Sequence, residues 1–261
     1  MVLTAFPVGF FAGFFGIGGG LITVPFLFFI FETLNLDKSY IMHLAVGTSF
    51  AIIIPTSLVS VLTHKKNNFV DVKIIKAYGF FVIAGVLAGT IFTALMQTKS
   101  LVLFFSMVVY FLGTYLLLLQ EKTKEIKKKF NLLPRLIFGF ISGFVSAPMG
   151  IAGAVINVPV LRYFGYPIKK AIGSAAAIGF IIALFGAIGF LISGSFLKAN
   201  MPLSLGFINI PAFLIFVPIT TFMARVGANT VYKIDKSKVQ AFLGIFLYVI
   251  GTVFIYRYFS L

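Results

Sequence analysis

The stretch Gly9 to Leu27, GFFAGFFGIGGGLITVPFL, returns as Gly139 to Leu161, GFISGFVSAPMGIAGAVINVPVL, once four residues are inserted after Val145. Eleven of the nineteen aligned positions are then identical. Both copies are apolar, and both are broken near the middle: the first by Gly16, Gly18, Gly19 and Gly20, the second by Pro148 and Gly150. Inside a continuous helix each such glycine costs about 0.8–1 kcal/mol relative to Ala, and Pro148 removes a backbone donor. Two half-helices joined at the glycines avoid both penalties. The pattern therefore predicts helical hairpins over 2–31 and 136–161.

The remaining sequence says where such hairpins lie. Of 261 residues, 60% are hydrophobic and 10% charged, with a mean hydropathy of +1.10. Soluble domains are roughly 45–50% apolar and about 25% charged, so a water-soluble enzyme, a disordered tail and a disulfide-stapled module are excluded together. Apolar segments fall at 2–31, 41–63, 74–97, 101–119, 136–161, 171–194, 203–224 and 239–256. They are expected to be helical, because lipid offers backbone groups no other partner. The polar run Gln120 to Asn131, QEKTKEIKKKFN, divides the chain into a first transmembrane repeat (1–119), a cytoplasmic linker (120–131) and a second repeat (132–261). Ala45-Val-Gly-Thr-Ser49 answers Ala171-Ile-Gly-Ser-Ala175, and Tyr78-Gly-Phe80 is matched with Leu205-Gly-Phe207. Without a single Cys, thiol relays, iron–sulfur clusters and Cys-ligated zinc are excluded. Met1 runs into apolar sequence with no basic n-region or small-residue cleavage site, so the first segment is expected to be retained.

Charge decides the topology. The net +15 comes from 21 Lys+Arg against 6 Asp+Glu, and the cations occupy short gaps between apolar runs. There they act as topology signals, with no nucleic-acid partner implied. If all segments cross once, Lys and Arg divide 12 to 9 between the faces. If the hairpins at 2–31 and 136–161 each enter and leave by one face, the split becomes 17 to 4, with only Lys38, Lys99, Lys198 and Arg257 outside. A straight helix over 2–31 would also be about 45 Å long, against a hydrocarbon core of roughly 30 Å. The expected fold is an all-α polytopic membrane protein of two inverted-topology repeats, each with one re-entrant helical hairpin plus three transmembrane helices. Eight full spans are the alternative. Both termini fall on the extracytoplasmic side of the plasma membrane.

These residues also carry a family resemblance. Gly16-Ile-Gly-Gly-Gly20 running on to Pro25, His43-Leu-Ala-Val-Gly-Thr-Ser49, His64 to Asp71 (HKKNNFVD), Ala171 to Gly189 (AIGSAAAIGFIIALFGAIG) and Gly206 to Pro211 (GFINIP) together resemble the TauE/SafE family of sulfite and organosulfonate exporters. The resemblance spans nearly the whole chain in order. It implies a prokaryotic plasma-membrane protein that moves sulfite, sulfonates or related anions outward without an ATPase. The second copy departs from the family's GIGGG-then-Thr pattern, reading Gly150-Ile-Ala-Gly-Ala154 with Asn157 in the threonine's place.

Physical chemistry points to an anion independently. In each hairpin the returning arm begins at the tip, so a helix N-terminus with free N–H groups and about half a positive charge faces the membrane middle. Gly18, Gly19, Gly20 and Gly153 let an oxyanion approach the backbone, while Thr23, Thr48, Ser49, Ser146, Asn157 and Ser174 can donate hydrogen bonds. The competing reading is that these small residues only let helices pack closely. The GIGGG run lacks the spacing and βαβ context of a dinucleotide site. His43 and His64 are too few for a His-rich metal site, so neither metal nor cofactor is expected. His43 is expected to pack at an interface, and Arg225 to anchor at the membrane surface. Pro55, Pro211 and Pro218 are expected to kink their crossings. The six acids, Glu32, Asp37, Asp71, Glu121, Glu125 and Asp235, fall in loops or at segment ends. No buried carboxylate relay is available, which favours electrogenic uniport over proton coupling. The partners implied are the lipid bilayer and a small anionic substrate, and a homo-oligomer is compatible with both. A carrier or channel for another anion, a non-transporting membrane subunit and a membrane-embedded enzyme are the competing functional classes.

Overall fold

The computed structural model describes residues 1–15, 19–118, 130–199, 201–231 and 236–260. The predicted linker lies almost wholly outside the described residues, as do Gly16, Gly18, Glu121, Glu125 and Asp235. Among the described residues ten helices run in chain order: α1 (Val2–Phe15), α2 (Gly20–Thr33), α3 (Ile41–Lys66), α4 (Val72–Leu95), α5 (Thr98–Leu118), α6 (Leu132–Met149), α7 (Ala154–Tyr163), α8 (Ile168–Phe196), α9 (Ile210–Val231) and α10 (Lys236–Ser260). Seven of them, α3, α4, α5, α6, α8, α9 and α10, are long and apolar enough to cross a membrane. Their outer faces carry exposed Phe80, Ile91, Phe111, Ile192, Leu214 and Phe222. An apolar surface of this kind is at home in lipid.

The chain breaks where the glycines predict. Gly19 precedes α2 at φ 77°, and Gly153 precedes α7 at φ 67°. This left-handed conformation suits a residue without a Cβ and costs an L-residue roughly 1–2 kcal/mol. Phe164, just past α7, packs on Phe130, just before α6, at 4.4 Å between ring centroids, and Phe138 of α6 lies 5.9 Å away. At the other hairpin Phe28 of α2 packs on Phe254 of α10, and Glu32 pairs with Arg257 at 3.0 Å.

Helix partners alternate between the halves. α3 and α8 cross at the centre, with Phe50 against Phe190 at 5.9 Å. Around them α4 packs on α6, α9 on α1, and α5 on α10. The α4–α6 contact interleaves small residues. A Cβ on Gly89 would lie 2.7 Å from the Phe144 carbonyl, and one on Gly143 would lie 2.7 Å from Val86 N. Close backbone approach of this kind drives helix association where lipid removes the hydrophobic advantage.

Three details differ from expectation. The apolar segment at 203–224 does not begin as helix: Ser204–Leu205 (β1) and Ile208–Asn209 (β2) form a tight antiparallel hairpin turned by Gly206 at φ 55°. Such backbone is tolerated in a membrane protein where protein covers it, and Phe207, Ile208 and Asn209 are buried. Pro211 therefore lies in the first turn of α9, where a missing N–H is harmless; Pro55 and Pro218 lie inside α3 and α9. The match of Tyr78-Gly-Phe80 with Leu205-Gly-Phe207 also fails, because Gly79 sits inside α4 while Gly206 makes the hairpin turn. Asp71 and Asn209 instead hold like places, each at the start of a helix. Asp71 caps α4 by accepting from Lys73 N at 2.9 Å, and Asn209 starts α9 by accepting from Ala212 N at 3.0 Å.

Candidate functional site

The two helix breaks meet. Gly20 begins α2 directly against the Gly150 carbonyl, so close that a side chain would collide with it. Ser49 of α3 donates to the same carbonyl at 2.9 Å. Gly20 and Ser49 thus join the first break to the second.

Beyond that contact the surroundings diverge. Thr23 is buried, and its hydroxyl donates to Gly19 O at 3.0 Å, one turn back along its own helix. The Thr23 hydroxyl is thereby used within its own helix. At the second break, Ser146 of α6 and Asn157 of α7 are completely buried, and Ser146 Oγ and Asn157 Nδ2 have no protein partner. A Cβ built on Gly153 would lie 2.9 Å from Ser146 Oγ and 3.0 Å from Asn157 Nδ2, so both polar atoms crowd the crown of this glycine. Ile182 Cδ1 of α8, 2.8 Å from the same point, supplies an apolar wall. Gly153 O accepts from Ile156 N and Asn157 N. The N–H groups of Ala154 and Val155 are the leading, unpaired ones of α7. An unsatisfied buried polar group costs about 1–3 kcal/mol, and two of them stand here beside a helix N-terminus.

The orientation of Asn157 is set from both halves of the chain. Its Oδ1 accepts from Tyr78 Oη of α4 at 2.9 Å and from Ser142 Oγ of α6 at 2.8 Å. Two hydroxyl donors hold the amide oxygen, and Nδ2 is thereby turned toward Gly153. Sequence reasoning missed Tyr78 and Ser142. Ser142 carried a signal, because it stands four residues before Ser146 on one helix face and replaces Ala12 of the first copy. Tyr78 carried none, since it reaches the site only through tertiary packing.

Thr48 and Ser174, the remaining predicted donors, bond elsewhere. Thr48 Oγ1 accepts from Asn209 N at 2.9 Å, at the entry to α9. Ser174 Oγ accepts from Asp71 N at 3.0 Å, at the entry to α4. Each helix of the crossing pair thus fastens a helix start from the opposite half. Gly18 lies outside the described residues. His43 is buried with Nε2 3.0 Å from Thr93 O, against Tyr40 and Phe207, in a packing position. Among the described residues no Lys, Arg, Asp or Glu is buried, and no three His, Asp or Glu gather as a metal site would require.

Many apolar helices long enough to cross a membrane, around a buried set of neutral donors, define a multi-pass membrane protein of the transporter class. The chain belongs to the sulfite exporter TauE/SafE family, whose profile matches residues 1–254. It is 31% identical over 243 residues to a probable membrane transporter protein of Haemophilus influenzae, covering 93% of this chain and 92% of that one. A probable membrane transporter protein of Methanocaldococcus jannaschii is 24% identical over 252 residues, covering 96% and 92%. The probable membrane transporter protein YunE of Bacillus subtilis is 26% identical over 264 residues, covering 93% and 91%. No solved structure matches the chain significantly.

Proposed function

We propose that the protein is a secondary exporter of a small oxyanion, sulfite or an organosulfonate, and that the anion binds at the second helix break. The observation that carries this reading is the pair of buried, unpartnered side-chain groups, Ser146 Oγ and Asn157 Nδ2, beside the N-terminus of α7. An oxyanion offers acceptor atoms to both and to the leading N–H groups of the helix, and it gains from the helix dipole. Gly153, having no Cβ, lets Ser146 Oγ and Asn157 Nδ2 stand directly against the backbone at the start of α7. Gly20 and Ser49 seat the first break against this site; Gly19 and Thr23 belong to that break, and Gly18 to the same GIGGG run of the sequence.

The architecture proposed with it is two inverted repeats, 1–119 and 132–261, joined by a cytoplasmic linker at 120–131. Each repeat holds one re-entrant hairpin and three crossings. In its support, the packing of Phe164 on Phe130 returns the α6–α7 hairpin to the end where it began. The Glu32–Arg257 pair puts the end of α2 beside the end of α10. With eight full spans, Glu32 and Arg257 would lie on opposite faces, and so would Ser174 and Asp71. On this topology α6 is the entering arm of a hairpin, and both termini are extracytoplasmic in the plasma membrane. Lys38, Lys99, Lys198 and Arg257 are then the outside cations.

Electrogenic movement needs no further energy source. With the cytoplasm negative, each negative charge leaving the cell gains about 2.3 kcal/mol per 100 mV. The test is anion flux in proteoliposomes under an imposed potassium-diffusion potential, repeated with a pH gradient at zero potential. Flux of sulfite or methanesulfonate that follows the potential is expected. Flux of neither anion, or flux that follows only the pH gradient, would overturn the reading.

A further inference from the structure

We infer that the site at the second helix break takes a singly charged oxyanion and discriminates against dianions. The inference rests on the anion site proposed above and assigns its charge selectivity. Every donor that converges on Gly153 is neutral: Ser146 Oγ, Asn157 Nδ2 and the leading N–H groups of α7. Ser146 and Asn157 have no exposed surface, Ile182 closes one side with carbon, and no Lys or Arg is buried among the described residues. The positive potential available comes from helix ends. Each N-terminus is equivalent to about half a positive charge. Gly20, the first residue of α2, abuts Gly150 and Ile151, so the starts of α2 and α7 lie within a few residues of one another and sum to about one unit.

Charge enters the balance unevenly. The cost of removing an ion from water grows with the square of its charge, whereas its attraction to fixed dipoles grows only in proportion. A fixed set of neutral donors matched to one unit of charge therefore favours a monoanion twice over, by balance of charge and by cheaper desolvation. Sulfonates carry one negative charge. Sulfite carries two as the dianion and one as hydrogensulfite, so hydrogensulfite is the form the site selects.

The experiment is isothermal titration of the full-length purified protein with methanesulfonate, sulfate and sulfite across the pH range in which sulfite converts to hydrogensulfite. Methanesulfonate keeps one charge throughout and corrects for titration of the protein itself. Methanesulfonate is expected to bind at least tenfold more tightly than sulfate. Relative to methanesulfonate, sulfite should strengthen by up to about tenfold for each unit by which the pH is lowered through the dianion range. Sulfate binding as tightly as methanesulfonate, or sulfite affinity that stays flat or rises with pH, would overturn the charge assignment. The anion site itself would still stand if Asn157→Leu weakened all of these anions together. No binding of any of the three would overturn the anion site and this inference with it.

Discussion

At the first break Gly19 turns the chain at φ 77° into α2, and at the second Gly153 does so at φ 67° into α7. The residue four places on is Thr23 in one and Asn157 in the other. Threonine is short enough to bond back to its own helix, and Thr23 does so at Gly19 O. The Asn157 amide is longer, and Tyr78 and Ser142 hold its oxygen away, so its nitrogen has no protein partner. A nearly identical backbone thus becomes a closed joint on one side and an open donor set on the other. On the proposed reading, each helix break supplies a dipole, while a few side chains decide which of the two binds.

The largest separation between the breaks is expected from Gly153→Ala against Gly19→Ala. Both force an L-residue into the left-handed region, at roughly 1–2 kcal/mol of stability. A methyl on Gly153 would also press within 2.8–3.0 Å of Ile182, Ser146 and Asn157. Obstructing both donors costs about 3–6 kcal/mol of anion binding if each bond to a charged ligand is worth about 1.5–3 kcal/mol. Proteoliposome flux should therefore fall more than about a hundredfold in Gly153→Ala. In Gly19→Ala the same strain should appear mainly as lowered thermal stability. Equal losses of flux would erase the distinction.

Ser146→Ala should come next, losing one bond to the anion and about tenfold in affinity by titration calorimetry, while relieving an unpaired buried hydroxyl in the empty protein. Affinity unchanged in this variant would remove Ser146 from the site. Tyr78→Phe sharpens the comparison by acting from the far half of the chain. Asn157 keeps Ser142 but loses its other hydroxyl donor, so affinity should fall about fivefold, the equivalent of about 1 kcal/mol. The smallest effect on binding is expected from Thr48→Val, whose hydroxyl serves Asn209 N. Its cost should appear as about 1–3 kcal/mol of stability, the penalty of an orphaned backbone N–H, measured as a lower melting temperature with anion affinity unchanged.

Much of this fold could be read from the chain alone, for a physical reason. Lipid forces apolar segments into helices, and only the glycine clusters and Pro148 offered places to stop. The β-hairpin at 204–209 could not be read, because its Ser, Gly and Asn are embedded in a longer apolar segment and its backbone groups are satisfied by Thr48 and the Phe190 carbonyl, far away in sequence. The clustering of Ser146, Gly153 and Asn157 was legible because all three belong to one hairpin, spaced one helical turn or less from the break. Thr48 and Ser174 could not be assigned their partners from the sequence, since each bonds to a helix start in the opposite half. Asp71 and Asn209 were matched to nothing for the same reason: they are alike as caps, and a cap is defined by the helix it opens.

The central claim, that binding belongs to the second break and packing to the first, is tested most directly by Asn157→Leu and Thr23→Val measured side by side. Both proteins would be reconstituted at equal density, and methanesulfonate flux followed under one imposed potential at one pH. The account predicts that Asn157→Leu loses more than about tenfold in flux, the loss of a donor to a charged ligand. Thr23→Val, which gives up only a bond within its own helix, should remain within about twofold of the parent. Full flux in Asn157→Leu, or a loss in Thr23→Val as large as in Asn157→Leu, would contradict it.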